Sequence, residues 1–109
     1  MNHQQYDSCI KSCSGCAIAC DHCASACLEE PNMEMMRECI RLDLDCAAIC
    51  RVAVQFMASG SRFAAEVCGL CARICEACAQ ECEKHEREHC VACAKACREC
   101  AEQCRRMAV

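Results

Sequence analysis

The chain has 109 residues, enough for one domain spanning 1–109, and carries a net charge of −4. That mild acidity, with no basic block, argues against a nucleic-acid partner, and no stretch approaches 18 apolar residues, which argues against a membrane span. Val, Ile, Leu and Phe together number only 16, whereas 19 residues are cysteine. Aliphatic side chains are therefore too few to fill a centre, and the cysteines are the one residue type numerous enough to do so. Eighteen alanines favour helix throughout.

The first predicted helix covers 4–28 and holds Cys9, Cys13, Cys16, Cys20, Cys23 and Cys27. Steps of three and four place all six thiols on one stripe, in slots that leucine normally fills. Glu29-Glu30-Pro31-Asn32 ends it, because proline disfavours helix at the residue before it. A second helix over 33–58 carries Cys39, Cys46 and Cys50, with Asp43 in the same seam. Ser59-Gly60-Ser61 closes it with a C-terminal glycine and offers Ser61 as the next N-cap. The third, over 62–84, has Cys68, Cys71, Cys75, Cys78 and Cys82, and the fourth, over 87–106, has Cys90, Cys93, Cys97, Cys100 and Cys104. No Gly or Pro separates these last two. The cysteine phase slips between Cys82 and Cys90, however, so a tight turn near His85 to Arg87 is expected, giving an αα-hairpin. Four helices with short connections make an antiparallel up-down-up-down four-helix bundle, all-α, with a cysteine-lined core.

A secreted disulfide scaffold would favour an even cysteine count and a leader peptide. Here the count is odd and MNHQQYDSC shows no leader pattern, so the expected compartment is the reducing cytoplasm, with the thiols free. Cysteine can pack as a small hydrophobe, but nineteen would leave a bundle centre underfilled. A redox protein needs one activated pair rather than a ladder, and neighbours on one helix suit a disulfide poorly. Metal binding remains, supported by six C-x-x-C pairs interleaved with C-x-x-x-C links. Zinc prefers four ligands on a loop that wraps the ion. Iron–sulfur clusters prefer a compact looped run, which is absent. Cu(I) is soft, monovalent and content with few ligands, so one ion per thiolate leaves a neutral core of roughly 15–20 ions. Such loading suits storage and requires no enzyme activity. A general soft-metal (zinc) thiolate buffer and a thiol redox protein are the alternatives.

The stretches CIRLDLDCAAIC and CGLCARICEACAQECEKHEREHCVACAKACRECAEQC resemble the bacterial copper storage proteins, in particular their cytosolic branch. The resemblance covers nearly the whole chain. It implies a four-helix bundle, a homotetramer and a core that binds many Cu(I) ions through thiolates.

Antiparallel order brings the first loop and the last turn to one end. Met33, Met35, Met36, His85 and His89 are expected to gather there, with His22 a turn or two inside, as weaker, exchangeable ligands at a mouth. The alternative is that the methionines plug the core and the histidines face solvent. Met57 and Met107 are expected to plug the opposite end. Asp43, buried in the seam, needs a partner: it could ligate copper, accept a hydrogen bond from a thiol or histidine, or pair with Arg37 or Arg41. Ile40, Leu42, Leu44, Ile49, Val52, Val54 and Phe56 lie on more than one face of the second helix, which suggests a subunit contact there.

Overall fold

The computed structural model describes residues 3–108. Four helices, α1 (Asp7–Leu28), α2 (Arg37–Ala58), α3 (Ala64–Cys82) and α4 (Glu88–Met107), make up the bundle, which measures 48 × 18 × 17 Å. No strand occurs among the described residues. The helices form a ring in chain order, and cross-helix thiol pairs show the antiparallel sense. Cys9 meets Cys104 at one end of the α1–α4 pair, and Cys23 meets Cys90 towards the other. Between α2 and α3, Cys39 meets Cys82 and Cys50 meets Cys71.

A core of thiols packs here because the helices come close together. Ala17, Ala24, Ala47, Ala72, Ala79, Ala94 and Ala101 are all buried, and each directly follows a cysteine. They flank the thiol seam where neighbouring helices touch, and a methyl side chain lets the backbones approach. The underfilling expected of a cysteine core is thereby met by narrowing the bundle rather than by enlarging side chains.

Each helix begins later than its sequence pattern suggests. The chain enters α1 through a 3-10 turn, His3–Tyr6, and α2 through another, Met33–Met36. Arg87 is extended (ψ 142°), so α4 starts at Glu88, while Lys84 and His85 close the end of α3 with tighter bonds to the Glu81 and Cys82 carbonyls. The link from α2 to α3 follows the sequence more closely. Gly60 has φ 66°, the Ser61 N–H donates to Phe56 O at 3.0 Å, and the Gly60 N–H donates to Met57 O at 3.1 Å. That is a Schellman closure, which glycine adopts without a Cβ penalty. Ser61 Oγ then accepts the Phe63 N–H at 3.1 Å, capping the turn that precedes Ala64.

The Gly60 end is sealed by larger side chains: Met57 is fully buried and Tyr6 nearly so, with Met107 partly buried against the core. Met57 continues the α2 stripe through Cys46, Cys50 and Ala53. Met57→Ala is expected to cost about 2–5 kcal/mol, because the rigid end of a bundle does not collapse onto the void. Anaerobic urea unfolding of the reduced protein reads this directly, and an unchanged midpoint would show that Met57 is no plug.

The outer surface carries separated ion pairs, Arg51 with Asp21, Arg98 with Glu83 and Arg105 with Glu76. Between them stand exposed apolar residues, with Ile18, Leu28, Met33 and Leu44 on α1, α2 and their connection. Of the apolar residues expected to leave the core on α2, Leu44 and Val52 are exposed, while Ile40, Leu42, Ile49, Val54 and Phe56 are half-buried against the core.

Candidate metal centre

All nineteen cysteines are buried and free. The 3.6-residue period turns every stripe inward, and the close helix spacing brings stripes from four helices into mutual reach. Sulfur–sulfur separations across helices are 3.5 Å for Cys46–Cys75, 3.5 Å for Cys13–Cys104, 3.7 Å for Cys16–Cys46 and 3.7 Å for Cys20–Cys93. A disulfide needs about 2.05 Å, so these are hydrogen-bonded thiols, spaced as ligands around a soft ion would be. Groups of four sulfurs lie within 4.8 Å of one another. Cys13, Cys71, Cys100 and Cys104 form one such group towards the sealed end, and Cys23, Cys27, Cys39 and Cys90 form another towards the opposite end. In the middle the groups share members: Cys16 and Cys46 belong to two, as do Cys20 and Cys97. The core is one connected lattice of sulfur, and its donors match a soft, low-charge cation.

At Cys27 and Cys90, towards the open end, burial favours the protonated thiol. It pushes the Cys90 thiol up to about 12, with the neighbouring Cys39 adding repulsion, and raises Cys27 for the same reasons in the same order. A cation bound by these two thiols must displace their protons as it enters.

Asp43 is fully buried at the centre of one thiol group. Its Oδ1 accepts from Cys78 at 3.2 Å and Cys93 at 3.3 Å, and more weakly from Cys82 at 3.7 Å. Of the alternatives raised by its seam position, acceptance from thiols is the one the structure displays. Neither Arg37 nor Arg41 reaches it; both are exposed, in a surface groove with Met33. Burial, then the thiol groups Cys93 and Cys78, lift its carboxyl to about 10. In the absence of metal Asp43 is a neutral acid at pH 7.

The first loop and the last turn do share one end. Glu30, Asn32, Met35, Met36, Lys84 and His85 line an opening of about 620 Å³ there, with Glu86 and Arg87 at its edge. Met36 is buried beneath it, while Met35 is exposed at its lip. His85 is mostly buried and its Nε2 lies 3.1 Å from Glu81 Oε2. His89 stands apart from this opening, in a neighbouring groove with His22, Ala26, Glu88 and Ala92. Its ring reaches the core, with Nδ1 at 3.5 Å from Cys23, 3.6 Å from Cys90 and 3.8 Å from Cys27. Its Nε2 meets Glu30 Oε2 at 2.8 Å.

Two expected positions need correction. His22 lies outside the tube, exposed on α1, because it precedes Cys23 by one residue and so sits about 100° around the helix from the seam. Met33 does not join the mouth; it lines a separate groove with Leu28, Arg37, Ile40 and Arg41. The sequence reading also missed the carboxylates that hold the histidines. Glu81 lies four residues before His85, a helical spacing that could have revealed it. Glu30 comes from the opposite connection and leaves no local signal.

The sequence model of the copper storage protein family (Csp) matches residues 2–109. The chain belongs to the copper storage protein family. Among curated relatives, this family member is 55% identical over 88 residues to the uncharacterized cysteine-rich protein YhjQ of Bacillus subtilis, covering 80% of this chain and 82% of that one. Among solved structures it is 54% identical to Cu(I)-bound copper storage protein BsCsp3, with a TM-score of 0.94 over 97% of this chain and 100% of that one. A cytosolic copper storage protein from Streptomyces lividans, in a structure with five coppers, is 37% identical, with a TM-score of 0.93 over 97% of this chain and 93% of that one. Likeness at this level over whole chains carries the four-helix, cysteine-filled architecture as well as the family.

Proposed function

We propose that this chain is a single-domain cytosolic store for Cu(I), holding many ions on the thiolates of its core for copper supply or detoxification. The observation that carries this reading is the overlap of the four-sulfur groups through Cys16, Cys20, Cys46 and Cys97. Isolated four-thiol sites would suit a few divalent ions. Shared sulfurs suit bridging thiolates and many monovalent ones. Each Cu(I) that binds replaces one thiol proton, so metal and thiolate charges cancel within the bundle. All nineteen cysteines are assigned as ligands. His85 and His89 receive ions at the open end, Met35 at the lip and Met36 beneath it offer soft contacts, and Asp43 serves the thiols around it as a ligand or hydrogen-bond acceptor. The chain acts by binding rather than turnover. It is assigned to a homotetramer, with the apolar face of α2 at a subunit contact.

An anaerobic titration of fully reduced protein with Cu(I), against a chromophoric chelator, tests this reading. Uptake is expected to reach roughly 15–20 ions per chain, about one per thiolate, with Zn(II) taken up far less in a parallel run. Saturation at one or two Cu(I) ions would sink the storage reading, and equal uptake of Zn(II) would replace it with a general thiolate buffer.

A further inference from the structure

Glu30 occupies the connection between α1 and α2, outside every thiol group, yet both its carboxylate oxygens are engaged by the last turn of the chain. Oε2 is 2.8 Å from His89 Nε2, and Oε1 is 3.2 Å from Arg87 Nε. Its backbone is held as well. The Glu30 N–H donates to Cys27 O at 3.2 Å, and Pro31 restricts the residue before it. The side chain is only 15% exposed, so its bond to the imidazole is sheltered from water.

An imidazole has two nitrogens, and the partner of one decides what the other presents. A carboxylate at Nε2 selects the tautomer with its proton there. The Nδ1 lone pair then points to Cys23, Cys27 and Cys90, three members of the outermost four-sulfur group. We propose that Glu30 is the positioning residue of the open end. It fixes the His89 tautomer that turns Nδ1 to the thiols, and so sets how fast Cu(I) passes from solvent to the first thiolate group. This inference deepens the storage reading and rests on it for the identity of the ion.

The geometry separates Glu30 from Glu81. Glu81, in the last turn of α3, meets His85 and Lys84 of the turn that directly follows, so it keeps one helix end in order. Glu30 reaches from the α1–α2 connection to the first turn of α4, to a ring already in contact with thiols.

The test has two arms on the reduced protein. In the first, long-range proton–nitrogen NMR correlations of ¹⁵N-labelled apoprotein read the His89 tautomer. Wild type is expected to carry its proton on Nε2. Glu30→Ala should give mixed tautomers. Glu30→Gln should keep the wild-type form, because its amide oxygen still accepts, and so should Arg87→Ala. In the second arm, anaerobic stopped-flow mixing reads Cu(I) uptake from a chelator. Glu30→Ala should slow the uptake about tenfold or more, with final capacity unchanged, while Glu30→Gln runs near the wild-type rate. Should Glu30→Ala not fold, Glu30→Asp, one methylene short of the ring, takes its place with the same expectations. A wild-type tautomer in Glu30→Ala overturns the proposal whatever the rate, and so does a tautomer shift in Arg87→Ala as large as in Glu30→Ala. Wild-type saturation at one or two ions would count against storage alone, since the apoprotein arm reads Glu30 without metal.

Discussion

Loading the reduced protein with Cu(I) is expected to stabilise it by about as much as, or more than, the apoprotein's entire folding free energy. The apo core buries thiols and methyl groups, with Met57 among its few large side chains, so its apolar gain per residue is small. The folded bundle brings the sulfurs into shared groups, so it holds the ions more tightly than the unfolded chain, and the difference adds to stability. A single site held at 100 times its dissociation constant adds about 2.7 kcal/mol. Four such sites add about 11 kcal/mol, against the 5–15 kcal/mol typical of a whole domain. Anaerobic guanidinium unfolding, followed by far-UV circular dichroism with and without Cu(I), reads the difference. A competing chelator should restore the apo midpoint. Equal midpoints for loaded and apo protein would place the ions outside the core and undo the assignment of the thiols as ligands.

Asp43→Asn is expected to stabilise the apoprotein at neutral pH. The carboxyl ionises near 3.8 in an exposed chain and near 10 in the bundle, chiefly through burial and then through the neighbouring thiol groups Cys93 and Cys78. Between these values the folded state holds a proton that the unfolded state releases. Its contribution is therefore full below pH 3.8 and is lost progressively as pH rises towards 10. At pH 7 the accumulated loss is about 4 kcal/mol, at roughly 1.4 kcal/mol for each pH unit. Asparagine keeps an oxygen for Cys78 and Cys93 and does not titrate. The variant should therefore exceed wild type by about that amount at pH 7, with the gap closing near pH 4. Urea midpoints of both reduced proteins at pH 4.5 and 7.5 settle it. A gap of the same size at both pH values would show that packing, and not the proton, distinguishes them.

What the sequence revealed followed from periodicity. Steps of three and four between cysteines place each stripe without knowledge of its neighbours, and the slip between Cys82 and Cys90 locates a turn that no Gly or Pro marks. The lead-in turns at His3–Tyr6 and Met33–Met36 were hidden, because a 3-10 turn carries the same near-helical spacing of side chains. His22 and His89 each stand one residue before a cysteine, and on phase alone both belong outside the seam. His22 obeys. His89 does not, because at the first turn of α4 its ring turns inward while Glu30, from a connection 59 residues away, engages its far nitrogen. Asp43 was visible as a misfit in an apolar slot. Its partners on α3 and α4 were not, since only the assembled bundle brings Cys78, Cys82 and Cys93 around it.

The two ends of the bundle differ, and that difference gives the cargo a history. The Gly60 end is closed by Met57 and Tyr6, while the Pro31 end carries the openings over His85 and His89. On the storage reading proposed above, a vessel filled from the Pro31 end would keep a memory of arrival. Ions nearest Cys23 and Cys90 would stand first in line to depart, and those beside Cys9, Cys13 and Cys104 would wait for the sulfurs ahead of them to be vacated. Withdrawal from such a reserve would proceed in sequence, a quick portion followed by a slow one, so the chain would ration what it holds.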